Sequence, residues 1–253
     1  MSPGRGKKIN GLNIVMVNDY GEMCRLAAEM IMRRLRAHPA MNLLVPTGST
    51  PAGVYALLGK QRGNPLKQAT LFNMDEYCTQ VDGHMVLLQK THPASYRYYM
   101  EQHLFHQALP AANHFPGTEN IEQEGAYDRR IRDSGGIGLC LNAMGEDGHT
   151  FGFNLPGTSF HSRTRLVKLN DETRGVNRKL TGLETPEYAI TIGLLTGMES
   201  KEILFLVSGE RKAGILQKVL CAKEPDPLIP ATLLKRHHNC HWIVDEAAAA
   251  LLK

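Results

Sequence analysis

The stretch LNIVMVNDYGEMCRLAAEMIMRRLRAH, residues 12–38, contains the unit that decides the fold. Its first six residues form a short apolar run, which predicts a strand. In the residues that follow, apolar side chains recur at helical spacing, at Met23, Leu26, Ala27, Met30 and Ile31. This spacing predicts a helix with one apolar face. A strand that leads directly into such a helix is the building unit of α/β folds.

The alternation of apolar runs and helical patterns continues along the chain. Further strands are predicted at MNLLV (41–45), ATLFNMDEY (69–77), GIGLCLNAMG (136–145), YAITIG (188–193), EILFLVSG (202–209) and CHWIVD (240–245). No internal repeat or low-complexity block interrupts them. The sequence therefore predicts an α/β fold with a doubly wound, mostly parallel, Rossmann-like sheet covered by helices on both faces.

Two segments depart from this pattern. Residues 1–11 are basic and lack the apolar centre of a signal peptide, which predicts a flexible N-terminal tail. Residues 157–183 are polar and basic without apolar periodicity, which favours a lid or a surface excursion. We expect residues 12–253 to form a single domain that carries this lid.

Composition narrows the range of partners. The net charge of +4 suits an anionic small molecule but is too weak and scattered for a nucleic-acid partner. The five cysteines are far apart and odd in number, which argues for a reducing compartment rather than a disulfide framework or a zinc cluster. No apolar run approaches the roughly 20 residues that a membrane span needs. We therefore expect a cytoplasmic protein with no membrane partner.

Polar or glycine-rich residues follow four of the predicted strands. They occur in PTGSTP (46–51), NMDEY (73–77), GEDGH (145–149) and VSGERK (207–212). In parallel α/β sheets, ligands bind outside the carboxyl ends of the strands. Gly48, Ser49 and Thr50 at the start of a helix form a candidate anion cradle, and Lys212 has a similar position. No phosphate-loop or dinucleotide motif is present, so a nucleotide is not indicated.

In combination, several motifs resemble those of one enzyme family. The segments LLVPTGSTPAGVY, LFNMDEY, HPASYRYYM, GEDGH, FNLPGTSFHSRTR, LNDETR and SGERKA follow the order and spacing of the glucosamine-6-phosphate deaminase (isomerase) family. That family also contains 6-phosphogluconolactonases and galactosamine-6-phosphate isomerases. The resemblance extends from Leu12 to Glu246. TGSTP, NMDEY and HPxSY together favour the amino-sugar branch, whereas MGEDGHT is similar to the lactonases.

The resemblance implies catalytic roles for three residues. In the family's reaction, a hexosamine 6-phosphate becomes a ketose 6-phosphate plus ammonia. His149 matches the ring-opening histidine, and Asp147 matches the carboxylate that orients it. Asp75 matches the group that moves a proton between C2 and C1. Glu76 would point to the opposite side of its strand, and we interpret it as structural.

The resemblance also implies how the substrate is bound. The 6-phosphate would lie against the loop of residues 47–50, Lys212 and a cation from the lid, for which the sequence leaves Arg178 and Lys179 as alternatives. The predicted binding residues are therefore Thr47, Gly48, Ser49, Thr50, Lys212, Arg178 and Lys179. No metal or other cofactor is required. Family members range from monomers to hexamers, so a homo-oligomer and a monomer both stay open.

One departure from the family pattern limits the functional prediction. Where the deaminases have FNEP, this chain has FNLP, with Leu155 at the glutamate position and one extra residue between His149 and Phe153. A leucine cannot orient an imidazole or relay a proton. Three functions remain: an amino-sugar-phosphate deaminase/isomerase, a 6-phosphogluconolactonase-like hydrolase, and a non-catalytic sugar-phosphate-binding protein. The presence of both Asp75 and His149 favours the first.

Overall fold

The computed structural model describes residues 5–9 and 11–252. Strands in this part of the chain are β1 (Arg5–Ile9), β2 (Leu12–Val17), β3 (Asn42–Val45), β4 (Thr70–Asn73), β5 (Asp75–Val81), β6 (His84–Leu87), β7 (Ala112–His114), β8 (Leu139–Ala143), β9 (Arg165–Lys168), β10 (Tyr188–Thr191), β11 (Ile203–Val207) and β12 (Cys240–Asp245). Helices are α1 (Tyr20–Ala37), α2 (Ser49–Gly59), α3 (Tyr96–Met100), α4 (Glu119–Glu122), α5 (Ala126–Asp133), α6 (Asp171–Thr181), α7 (Leu194–Met198) and α8 (Ala213–Cys221). Shorter helical turns are formed by Glu101–Phe105, Glu210–Lys212 and Pro230–Arg236.

The first helix confirms the helical spacing that the sequence shows. Asp19 caps α1, and its carboxylate accepts a hydrogen bond of 2.8 Å from the backbone N–H of Glu22. Met23, Ala27 and Ile31 are buried on one face of the helix. The apolar periodicity of this segment therefore arises from packing against the sheet.

The large sheet has the strand order β1-β2-β12-β11-β8-β3-β4-β7, and the seven strands from β2 to β7 in this order are parallel. This confirms the predicted doubly wound, mostly parallel sheet. The chain moves outward from β3 through β4 to β7 and then returns to β8 on the other side of β3. The order therefore reverses between β3 and β8, where such folds open a crevice for ligands.

A second, antiparallel sheet with the order β6-β5-β10-β9 was not expected from the sequence. The segment ATLFNMDEY, predicted as one strand, forms β4 in the large sheet and β5 in the small one. The chain leaves the large sheet at Met74. YAITIG likewise supplies β10 to the small sheet. In its register, Thr191 lies between Asp75 on one side and Arg165 on the other.

Hydrophobic cores lie on both faces of the large sheet. Alternate residues of β11 face opposite ways: Leu204 and Leu206 pack with residues of α1 and α2, whereas Phe205 and Val207 pack with residues of α5 and α8. Trp242 of β12 is fully buried, and its ring centre lies 4.7 Å from that of Phe205. Helices on both faces are what the sequence predicts.

The N-terminal segment differs from the predicted flexible tail. Residues 5–9 form β1, which pairs antiparallel with β2 so that Ile9 lies opposite Leu12. The backbone hydrogen bonds of an edge strand hold this segment. Residues 1–4, which belong to the same prediction, lie outside the described residues.

The segment 157–183, predicted as a lid, contains β9 and α6. The side-chain amide of Asn177 on α6 donates a hydrogen bond of 2.9 Å to the hydroxyl of Tyr77 on β5. This contact places α6 against the small sheet, and its role as a lid stays a prediction. No helix in the described ranges is long and apolar enough to cross a membrane.

Candidate active site

The loop after β3 leads into α2 through a glycine that needs its conformational freedom. Gly48 has a φ of +108°, a backbone conformation that side chains other than hydrogen rarely permit. The hydroxyl of Tyr99 donates a hydrogen bond of 2.6 Å to the Gly48 carbonyl. The hydroxyl of Tyr20 accepts one of 2.9 Å from the N–H of Gly53 and lies 2.9 Å from the carbonyl of Ser49. The start of α2 is therefore held with its first N–H groups available to an anion.

Lys212 reaches this loop from the end of β11. Its Nζ atom donates a hydrogen bond of 3.1 Å to Oγ1 of Thr50. Burial lowers the pKa of Lys212 to about 8. The carboxylate of Asp245 holds the loop that precedes Lys212. It accepts hydrogen bonds from the hydroxyl of Ser208 and from the N–H of Gly209. The structure thus brings together the two anion-suited segments identified from the sequence.

Asp147 and His149 form a hydrogen-bonded pair in the turn after β8. The distance between Oδ1 of Asp147 and Nδ1 of His149 is 2.6 Å, and the same oxygen accepts a bond of 3.0 Å from the backbone N–H of His149. Partial burial opposes ionisation, but the hydrogen bonds from His149 outweigh it and hold the pKa of Asp147 below its ordinary value. An acceptor at Nδ1 favours the tautomer whose Nε2 is free to take a proton.

Gly145 allows the imidazole to lie against the backbone. A Cβ atom added at this position would be 2.2 Å from Cε1 of His149, so any side chain would displace the ring. The position of the His149 ring therefore requires a glycine at this position of GEDGH.

Asp75 is buried at the start of β5, with 4% of its surface exposed. Burial raises its pKa well above the ordinary value, and the charge of neighbouring Glu76 adds to the effect. Gly152 approaches it closely, because a Cβ atom there would lie 2.8 Å from Oδ2 of Asp75 and 2.5 Å from Oγ1 of Thr191. Within the described part of the chain, no hydrogen bond engages the Asp75 carboxyl. Its oxygens are therefore available to a ligand.

Glu76 has the structural role that the sequence analysis assigns to it. Its carboxylate accepts hydrogen bonds from the hydroxyl of Ser95 (2.8 Å) and the backbone N–H groups of Tyr77, Tyr96 and Arg97 (2.8, 2.9 and 3.0 Å). It therefore ties β5 to the N-terminus of α3. Among the described residues, the two adjacent acids have opposite environments: Glu76 accepts four hydrogen bonds, and the Asp75 carboxyl accepts none.

Arg178 and Lys179 lie near the C-terminal end of α6 and are exposed. Arg178 forms an ion pair of 3.3 Å with Glu184, both largely exposed. Neither cation is joined to Thr50 or Lys212 by a hydrogen bond or ion pair between described residues. The predicted binding set is therefore assembled only in part, with the loop and Lys212 together and the α6 cations apart.

The extra residue before FNLP is absorbed by a tight bend. Phe151, fully buried, has a φ of +54°, and Gly152 follows with +76°. The buried amide of Asn154 donates hydrogen bonds to the carbonyls of Phe151 (2.7 Å) and Ile192 (2.9 Å). Leu155 follows, half-buried, at the start of a turn closed by a 3.0 Å bond from the N–H of Thr158 to its carbonyl.

Several residues at the site carried no recognisable sequence signal. Thr191 beside Asp75 and Gly152 within the bend are found only once the small sheet is known. Tyr20 is an exception. It follows the carboxyl end of β2, a position at which site residues are expected in such sheets.

Comparison with known proteins places this geometry in a family. The model of the glucosamine-6-phosphate isomerases/6-phosphogluconolactonase family matches residues 20–242. A glucosamine-6-phosphate deaminase of Shouchella clausii is 40% identical over 250 residues, which cover 95% of this chain and 97% of that protein. Glucosamine-6-phosphate deaminase 2 of Bacillus subtilis is 37% identical, with coverage of 96% and 98%.

Solved structures show the same relationship. A monomeric glucosamine-6-phosphate deaminase superposes with a TM-score of 0.83 at 29% identity, covering 94% of this chain and 99% of that one. The 6-phosphogluconolactonase of Trypanosoma cruzi superposes with a TM-score of 0.73 at 15% identity, covering 98% and 99%, and shows a shared fold only. The chain belongs to the glucosamine-6-phosphate isomerase/6-phosphogluconolactonase family.

Proposed function

We propose that this protein is an amino-sugar-phosphate deaminase/isomerase that converts glucosamine 6-phosphate, or a close epimer, to a ketose 6-phosphate and ammonia. The observation that carries the proposal is the buried Asp75, whose carboxyl accepts no hydrogen bond from the described residues. It starts β5 at the edge where Lys212 and the Asp147–His149 pair follow β11 and β8. A lactone hydrolase has no step that needs such a carboxyl. The deaminases that are 36–40% identical over nearly the whole chain support the same choice.

The phosphate of the substrate is proposed to bind at the start of α2. Residues 47–50 offer N–H groups and hydroxyls, and the helix N-terminus favours a negative charge. Lys212 adds a cation to this site through its contact with Thr50. Lys179 or Arg178 on α6 would complete the site by moving toward the bound phosphate, which would give the segment 157–183 its function as a lid.

His149 is proposed to open the sugar ring. Its Nε2 takes the proton of the anomeric hydroxyl and returns one to the ring oxygen, which leaves the open-chain aldehyde. Asp147 holds the ring orientation and stabilises the imidazolium that forms in between. A positioned acid–base group of this kind contributes roughly 10²–10⁴ in rate.

Asp75 is proposed to move the proton from C2 to C1. Removal of the C2 proton, with a proton taken up at O1, gives an enolamine. Return of the proton to C1 gives an iminium ion at C2, and loss of one N–H proton, which balances the proton taken up at O1, leaves the imine. Water adds to this imine and ammonia leaves, so that one water is consumed for each ammonia released. A buried carboxylate with a raised pKa is a stronger base than one in water, which suits a carbon acid.

The second candidate is a lactone hydrolase, and Leu155 favours it. Leu155 stands where the deaminase pattern has the glutamate that works with the histidine during ring opening. An imidazole that activates water is sufficient to hydrolyse a lactone. The two functions differ in their need for Asp75 and in their products.

The experiment compares hexosamine 6-phosphates of gluco and galacto configuration with 6-phosphogluconolactone. Ammonia and ketose phosphate are measured for the first group and loss of lactone for the second. Release of ammonia with ketose phosphate in equal amounts is the expected result. Lactone hydrolysis without ammonia release would overturn the proposal. Binding of both without turnover would assign a sugar-phosphate-binding protein instead.

A further inference from the structure

Gly148, between Asp147 and His149, lies beside the side chains of two isoleucines, Ile215 and Ile229. It is buried and has a φ of +86°. A Cβ atom at this position would lie 2.8 Å from Cγ2 of Ile229 and 3.2 Å from Cδ1 of Ile215. Because glycine has no side chain, both isoleucines fit beside the turn that carries the acid–base pair.

The two isoleucines come from separate segments of the chain. Ile215 lies in the first turn of α8, and Lys212 is the residue that caps the start of this helix. Ile229 ends a tight turn that begins at Asp226, where the N–H of Ile229 donates a 2.9 Å bond to the Asp226 carbonyl. One isoleucine is therefore linked to the anion site, and the other is held by an independent turn.

Backbone hydrogen bonds strengthen the second of these supports. The N–H of Ala231 donates a bond of 2.9 Å to the carbonyl of Gly148, and the N–H of Gly157 donates one of 2.8 Å to the carbonyl of Pro227. The segment 226–231 thus contacts the chain on both sides of FNLP, before it at Gly148 and after it at Gly157.

We propose that Ile215 and Ile229 are positioning residues that set the distance between His149 and the phosphate held by Lys212. The inference rests on the proposed function, in which one sugar phosphate contacts both groups. The phosphate and the anomeric carbon are at opposite ends of a molecule of fixed length, so the two ends of the site must match it. A displacement of about 1 Å at the reacting end can cost on the order of 10² in rate.

The isoleucine atoms nearest to Gly148 can be removed or moved one at a time. Ile215→Val removes Cδ1, the atom of Ile215 that would lie nearest to a Cβ at Gly148. Ile229→Leu removes Cγ2 and keeps the number of carbon atoms. We expect each to lower kcat about tenfold with little change in KM, because the turn moves while the anion site stays intact. Ile215→Leu, which keeps carbon atoms at the γ and δ positions, should recover most of the lost kcat.

The control is Ile131→Val, the same one-carbon deletion in the hydrophobic cluster against which Ile215 and Ile229 pack, made on α5. It should lower stability by a similar amount and leave kcat unchanged. Equal kcat values for Ile215→Val and Ile131→Val would overturn the proposal and assign Ile215 to packing alone.

A second readout does not depend on turnover. The NMR titration of the His149 imidazole, assigned with His149→Asn, should shift in Ile215→Val and Ile229→Leu but not in Ile131→Val. If the wild-type protein releases no ammonia, the proposed function fails and this titration still tests the positioning role. If the titration is identical in all three variants, the positioning role fails even in an active deaminase.

Discussion

Lys212 and Thr50 are joined by a hydrogen bond of 3.1 Å although 162 residues of chain separate them. One follows β11 and the other follows β3, so the bond links two strand ends across the intervening β8. The turn that carries Asp147 and His149 follows β8 and therefore lies between them. Anion binding and acid–base chemistry are adjacent because the strand order reverses at this point of the sheet.

The lowered pKa of Lys212 predicts that substrate binding weakens in alkali. With a pKa of about 8, the side chain is charged below that pH and loses its charge as the pH rises through it. We expect KM for the sugar phosphate to be constant below about pH 7 and to rise above about pH 8. Steady-state kinetics over this range test the prediction. Lys212→Arg should give a KM that does not rise, since arginine stays charged.

Asp75→Asn is expected to lower the rate of ammonia release by at least about 10², because an amide cannot accept the C2 proton. Affinity for a phosphate-bearing ligand should change little, since the proposed phosphate contacts are made by the Lys212–Thr50 pair and the start of α2 rather than by Asp75. Ammonia assays and calorimetric titration with a sugar phosphate measure the two effects. Full turnover in this variant would remove Asp75 from the mechanism.

Glu76→Gln is the matched change at the adjacent acid, and it should affect stability. One carboxylate accepts four hydrogen bonds in the core. Replacing one oxygen by an amide nitrogen sets donor against donor, at a cost of about 1–3 kcal/mol in the free energy of unfolding. Denaturant titration measures this loss. A variant as stable as the wild type would contradict the structural role of Glu76.

Asp147→Asn is expected to lower kcat by roughly 10² or more with KM nearly unchanged. The amide oxygen can still accept a hydrogen bond from Nδ1–H, but it carries no negative charge and therefore stabilises the imidazolium much less. Initial rates at saturating substrate measure the effect. A variant whose KM rises while kcat is kept would show that Asp147 binds substrate instead.

The two cations of α6 are expected to differ in their contributions. Arg178 is paired with Glu184 at 3.3 Å, whereas Lys179 is exposed beside it. Lys179→Met should raise KM for the sugar phosphate about tenfold, the worth of one charge-assisted contact. Arg178→Met serves as the control and should change KM less than twofold. The reverse ranking would assign the phosphate contact to Arg178.

Leu155→Glu is expected to change the pH dependence of turnover. It restores a carboxylate at the position where deaminases have one, and this group can share a proton with His149. Rate profiles of wild type, Leu155→Glu and the uncharged control Leu155→Gln make the comparison. Identical profiles for all three would mean that residue 155 is remote from the reacting groups.

The large sheet could be predicted because its strands are short apolar runs separated by helices. The small sheet could not, since alternation along ATLFNMDEY does not reveal that the chain leaves one sheet at Met74 and enters another. β1 was missed for a related reason. Its pairing with β2 consists of backbone hydrogen bonds, which leave little trace in the order of side chains.

The rule that ligands bind at strand ends predicts the segments that contain Thr50, Asp75, His149 and Lys212, and the family resemblance predicts their roles. The rule could not place Arg178 and Lys179, which lie on α6 away from any strand end. Neither could it identify Ile215 or Ile229, because an isoleucine that touches a glycine backbone has the same sequence pattern as any core residue.

The position of Trp242 has a practical consequence for all of these measurements. It is the chain's single tryptophan, it is fully buried in the large sheet beside Phe205, and the site is surrounded by tyrosines such as Tyr99. Emission excited selectively from indole therefore reports whether the large sheet around Trp242 is intact. The fluorescence of this single tryptophan can therefore verify that each variant is folded before its kinetics are interpreted.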